Sequence, residues 1–86
     1  MKLFYLKDCP HCIRARNWIN ELYQENPVYK DIPIEWIEEN ENWDYANTFD
    51  YYYVPSLYDG NNKLHEGVWS KESIKEIFDD YLRRKQ

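Results

Sequence analysis

Eighty-six residues make room for one domain, spanning 1–86, and the 19 Leu, Ile, Val and Phe residues need the large rings of 13 Tyr and Trp residues to fill its core. The net charge is −5, and between Lys30 and Lys63 eight carboxylates occur with no Lys or Arg, a distribution that repels phosphate backbones and speaks against nucleic acid as a partner. No apolar run approaches the roughly 18 residues of a membrane span, and the opening residues turn charged at Lys7-Asp8, so a cytoplasmic protein without membrane association is expected.

Lys2–Leu6 is a short apolar run with aromatics, which suits a strand covered on both faces. Pro10 fits the first helical position with Cys9 as N-cap, and Cys12, Ala15, Ile19 and Leu22 then recur at helical spacing until Asn26-Pro27 stops the helix. Pro33 opens a second strand, Ile34–Ile37. Residues 39–49 are polar with aromatic punctuation and predict a short, weak helix. Ser56–Tyr58 reads as a third strand after Pro55, Asp59–Asn62 as turn chemistry, and Lys63–Glu66 as the return strand of a hairpin. Ser70 caps a last helix whose Ile74, Ile77, Phe78, Tyr81 and Leu82 share one face and which ends in Arg83-Arg84-Lys85, the charge its C-terminal dipole prefers. The order is βαβαββα. The acidic middle stretch reads either as a solvated face or as a docking surface for a basic partner.

The two cysteines, Cys9 and Cys12 in Asp8-Cys9-Pro10-His11-Cys12, cannot form a scaffold. A disulfide between them closes a ring so small that chain entropy yields only about 2 kcal/mol. A structural zinc site normally takes four ligands, whereas Cys9, Cys12 and His11 supply three at most, with His65 the only other imidazole. Chemistry is the better explanation. At the mouth of a helix the Cys9 sulfur faces unpaired N–H groups, which stabilise a thiolate, the form that attacks disulfides. Bringing a thiol from about 8.5 to about 5–7 takes roughly 2–5 kcal/mol, more than the ~0.3–2 kcal/mol of a helix terminus. Lys7 and a protonated His11 are the nearest candidate cations, and Asp8 opposes them. Cys12 lies one turn deeper, so Cys9 attacks and Cys12 resolves the mixed disulfide.

A strand, Lys7, Cys9-Pro10-His11-Cys12, then Val54-Pro55 before a hairpin and Gly67 before the last helix resemble the thioredoxin-fold superfamily and, in size, glutaredoxins. The resemblance covers essentially the whole chain. It implies an α/β thioredoxin-like fold with a four-stranded mixed sheet and flanking helices, a cis Val54–Pro55 bond beside the sulfurs, and backbone hydrogen bonding of a bound peptide or glutathione at Val54. A proline that starts a strand donates nothing to a ladder, which suits a place where backbone meets ligand. Departures are visible as well. Gly67 is followed by Val68, Trp69 and Ser70, where glutaredoxins carry a second glycine and an acidic residue. Asn40, Asn42 and Asn47 are the amides available where that family places a group for a glutathione carboxylate, and Leu3 stands in place of the buried aspartate of thioredoxins. His11 resembles the histidine of periplasmic disulfide oxidants, where it stabilises the thiolate.

These readings lead to an expected thiol–disulfide oxidoreductase. Cys9 and Cys12 are catalytic, Lys7, Pro10 and His11 tune the thiolate, and Val54, Pro55 and Gly67 bind substrate. No cofactor or metal is expected beyond the redox-active cysteine pair. The expected partners are a disulfide-containing protein or small molecule and a reductase or glutathione as electron donor, with the enzyme acting as a monomer. The alternatives are a glutathione-dependent glutaredoxin and a metal or iron–sulfur module built on the same cysteines. Tyr51, Tyr52, Tyr53 and Trp43 are candidates for lining a peptide groove or for packing the core, and His65 is expected to be a surface or cross-strand residue.

Overall fold

The structure, a computed structural model, describes residues 1–84. Strand β1 (Lys2–Tyr5) is central. It pairs in parallel with β2 (Glu35–Glu38) and antiparallel with β3 (Ser56–Asp59), and β3 pairs antiparallel with β4 (Asn62–Glu66), giving the sheet order β2-β1-β3-β4. Helix α1 (Pro10–Glu25) connects β1 to β2, a single turn, α2 (Trp43–Ala46), follows β2, and α3 (Lys71–Arg84) ends the described chain. This is the expected βαβαββα order and a thioredoxin-like α/β fold. No helix among the described residues is long and apolar enough to cross a membrane.

Alternation along the central strands divides the core. Leu3 and Leu57 face one way, onto Ala15, Ile19 and Leu22 of α1 and Ile74 and Phe78 of α3. Phe4 and Tyr58 face the other way, onto Ile37, Ala46, Phe49 and Tyr51. Both central strands are therefore buried on both sides, as the apolar run Lys2–Leu6 predicts. Phe4 is fully enclosed by rings, with centroids of Phe49, Tyr51 and Tyr58 at 4.7, 5.1 and 5.7 Å.

Several boundaries differ from the sequence reading, each for a local reason. Leu6 leaves the β1 ladder because its N–H turns to the Cys12 sulfur (3.4 Å) and its carbonyl accepts from the Cys9 N–H (3.1 Å). The second strand begins one residue late, at Glu35. After Pro27 the chain makes a 3-10 turn, Pro27–Asp31, which brings Tyr29 into the core with its hydroxyl donating to Asp79 (2.6 Å). The hairpin loop is only Gly60-Asn61, because Asp59 and Asn62 already pair, and Gly60 takes the positive φ (62°) such a loop demands. In α3, Ser70 and Ser73 each accept the other's main-chain N–H through their hydroxyls, and Arg83 and Arg84 at its end both pair with Asp80. Lys85, expected in that basic end, lies outside the described residues.

Candidate active site

The departure of Leu6 from the ladder brings the cysteine motif to the carboxyl end of β1. Cys9 is the N-cap of α1, with extended backbone (φ −77°, ψ 126°), and Pro10 opens the helix. Both thiols are free; Cys9 is half-buried and Cys12 is buried. The main-chain N–H of Cys12, at the third helical position, is the largest influence holding the Cys9 thiol below its ordinary range; the His11 N–H, the Cys12 thiol and the Arg14 guanidinium add to it, and partial burial opposes them. Neither amide makes a full capping hydrogen bond to the sulfur, so they act as oriented dipoles. Burial, helped by the neighbouring Cys9 and Glu39 and opposed by the Leu6 N–H, pushes the Cys12 thiol up to about 11.

His11 and Lys7 are placed differently from their expected roles. His11 is exposed, its Nδ1 lies 2.6 Å from Arg14, and it acts on Cys9 through its backbone amide. The side-chain cation that lowers Cys9 is Arg14, a residue the sequence reading passed over. Lys7 is exposed, and its main-chain N–H donates to Glu38 (3.0 Å).

Glu38 is the main surprise of the acidic stretch. It is 5% exposed and accepts from the N–H groups of Lys7, Asn40 and Glu41, with the Lys7 amide the chief cause of its lowered pKa. One buried carboxylate thus ties the end of β2 to the residue two places before Cys9. Asn42, a candidate amide donor to ligand, donates instead to the Glu38 carbonyl (3.0 Å).

The Val54–Pro55 bond is cis. Pro55 is buried and Val54 half-buried. Gly67, at φ 86°, donates its N–H to the Pro55 carbonyl (3.0 Å). Glu66 accepts from the N–H groups of Tyr52 and Tyr53 and from Lys63, and these three donors, Lys63 first, hold its carboxyl down at about 2. Glu66 therefore fastens the segment entering Val54 to the end of β4. His11, Tyr53, Val54, Glu66, Gly67 and Val68 line one groove of about 430 Å³. A smaller groove of about 240 Å³ reaches Cys12 and is lined also by Lys7, Ile13, Arg16 and Asn17. Of the residues expected to bind substrate or tune the thiolate, His11, Val54 and Gly67 therefore share the first groove, whereas Lys7 belongs to the second.

No protein-family model matches the chain, and no curated protein matches it either.

The aromatic candidates divide. Tyr51 packs in the core against Phe4 and donates its hydroxyl to Glu39 (2.8 Å), whereas Trp43, Tyr52 and Tyr53 are exposed. His65 pairs across the hairpin with Leu57, has its Nε2 3.0 Å from the Val68 carbonyl, and meets Trp69 edge-on. Glu38, Glu66 and Arg14 are the residues sequence reasoning missed. Arg14 had a local signal, one helical turn from His11; the glutamates had only partial ones, Asn40 and Glu41 just after Glu38 and Lys63 three residues before Glu66.

Proposed function

We propose that the protein is a dithiol thiol–disulfide oxidoreductase of glutaredoxin-like type. The observation that carries this reading is the split between the two thiols: Cys9 is drawn down at a helix mouth while Cys12, directly behind it, is held protonated near 11. The Cys9 thiolate attacks one sulfur of a substrate disulfide, forming the Cys9 mixed disulfide and releasing the other half as a thiolate. Cys12 then gives up its proton to the substrate thiolate released in the first step and attacks the Cys9 sulfur. A Cys9–Cys12 disulfide forms, the second substrate thiolate leaves, and the two electrons of the dithiol have passed to the substrate. An external thiol or dithiol donor restores the pair. The high pKa of Cys12 keeps it from competing as nucleophile in the first step.

The groove beside Val54 carries the Glu66 carboxylate and no Lys or Arg in its lining, so it suits an uncharged stretch of substrate backbone better than a carboxylate. A metal module would require donors from another chain, since no group of three His, Cys, Asp or Glu side chains that could hold an ion comes together among the described residues.

The test is iodoacetamide alkylation followed by mass spectrometry across pH 4–10. Cys9 should be modified first, with a rate that reaches its plateau below the ordinary thiol range of about 8.5, and Cys12→Ser should accumulate the Cys9 mixed disulfide with a model peptide disulfide. A Cys9 rate that climbs only above pH 8, or equal labelling of the two cysteines at pH 7, overturns the reading.

A further inference from the structure

The cations of this chain fall into two groups. Lys2, Lys63, Lys71, Lys75, Arg83 and Arg84 all pair with carboxylates. Lys7, Arg14, Arg16 and Lys30 make no ion pair with a carboxylate among the described residues, although the Lys7 charge helps to lower Glu38. Of these four, Lys7 and Arg16 line the small groove that reaches Cys12. Arg16 is fixed there by its own neighbours, its guanidinium lying 5.2 Å from the Tyr5 ring and 5.4 Å from the Trp36 ring. A cation held over ring faces in this way makes no ion pair there, so its N–H donors remain available to an anion. The backbone of Lys7 is anchored through Glu38. Asn17 adds an amide to the lining, and Ile13, also in the lining, is 47% exposed. No carboxylate occurs between Asp8 and Glu21, although the rest of the chain is rich in them.

A groove with two cations outside any ion pair, one of them held over aromatic rings, together with an amide and an exposed aliphatic side chain complements an anion carried on an apolar-flanked scaffold. Its size narrows the occupant. About 240 Å³ is below the ~300–1,000 Å³ typical of sites that enclose a whole small ligand, and suits a single side chain. We propose that this groove receives an Asp or Glu side chain of an acidic partner protein, whose disulfide is thereby presented to Cys9. The inference rests on the dithiol reading for what the partner brings, and on the groove alone for how it is held. The acidic middle segment, expected as a possible dock for a basic partner, supplies none of the residues lining this groove.

The experiment uses the full chain and three model peptides in one sequence frame, each with a single disulfide flanked by Glu, by Gln or by Lys. Steering by two cations should make the Glu peptide react about tenfold faster than the Lys peptide at low salt, with the advantage shrinking as salt is raised. Arg16→Gln and, independently, Asn17→Asp should each reduce that ratio severalfold; comparing peptides within one variant cancels any change in Cys9 reactivity. In parallel, a cysteine-free Glu peptide is titrated into isotopically labelled protein, and the amide signals of Ile13, Arg16 and Asn17 should move. Equal rates for the three peptides, a preference untouched by either variant, or unmoved amide signals overturn the proposal. If no peptide reacts faster than with an unstructured thiol, the dithiol reading fails, and the titration still decides the groove.

Discussion

Cys9 and Cys12 share a sequence neighbourhood and a helix, yet their thiols are displaced in opposite directions. The cause is a depth difference of one helical turn: Cys9 looks at N–H groups that nothing else uses, and Cys12 is enclosed between α1 and the departing end of β1. The same physics operates at Glu66, where two backbone amides and Lys63 converge on one carboxylate. Its folded pKa, about 2, lies below the ordinary 4.5, so its contribution to stability is fully present above about pH 4.5 and is lost as pH falls toward 2. Glu66→Gln removes the charge and keeps an acceptor. The variant is expected to show a flatter dependence of its urea midpoint between pH 5 and 2 than the parent chain, and a lower midpoint at pH 7. Parallel profiles for the two proteins would mean that the carboxylate contributes nothing as an anion. Loosening of Tyr52 and Tyr53 should also raise amide exchange at those two positions, which a purely electrostatic surface pair would leave alone.

At the level of elements, the long helices were legible because their information is local. Ala15, Ile19 and Leu22 state a period, Pro10 and Asn26-Pro27 state the ends, and Ser70 states where α3 begins. That last signal yields a prediction. Ser70 and Ser73 exchange hydroxyl-to-amide hydrogen bonds of 3.0 and 3.1 Å across the first turn of α3, so Ser70→Ala is expected to lower unfolding free energy by about 1 kcal/mol. Urea denaturation should show a shifted midpoint with unchanged slope; a shift under about 0.3 kcal/mol would show that the box is idle. The stretch 39–49 was less legible, since a helix was expected across it and only Trp43–Ala46 forms one. Its Ala46 and Phe49 belong to the second core cluster, so their spacing reflects the shape of the sheet above them more than the period of any element. The site divides in the same way. The cysteine pair was readable because both residues sit on one turn, and the expected cis bond at Val54–Pro55 was carried by resemblance. Glu38 and Glu66 have local donors too, but their ties to the site were not readable, because those come from amides 31 and 13–14 residues away.

Taken whole, the molecule supports a two-faced sheet with few aliphatic side chains, and it does so by giving one face to rings. Leu3 and Leu57 meet the long helices in ordinary aliphatic packing. On the other face no long helix is present among the described residues, and Phe4 is covered by Phe49, Tyr51 and Tyr58, with Tyr45 at the periphery. The short turn and the segment after it are held there in part by ring contacts, which add about 0.5–1.5 kcal/mol per pair beyond buried area. Several such pairs converge on Phe4, but removing its ring also lets neighbours relax, so the terms do not simply add. Phe4→Leu keeps most of the volume and deletes the aromatic contacts; a loss of about 1–2 kcal/mol is expected. For a chain of this length each 1 kcal/mol corresponds to a fall in Tm of roughly 4–8 °C. Leu57→Ile, a near-isosteric change on the aliphatic face, should cost less than about 1.5 kcal/mol and leave the near-ultraviolet circular dichroism of the rings intact. Thermal unfolding of the two variants side by side is the measurement. If Phe4→Leu proves as stable as the parent with its aromatic circular dichroism unchanged, rings do not hold the second face, and the fixed positions of Tyr51 and of the segment leading to Val54 need another cause.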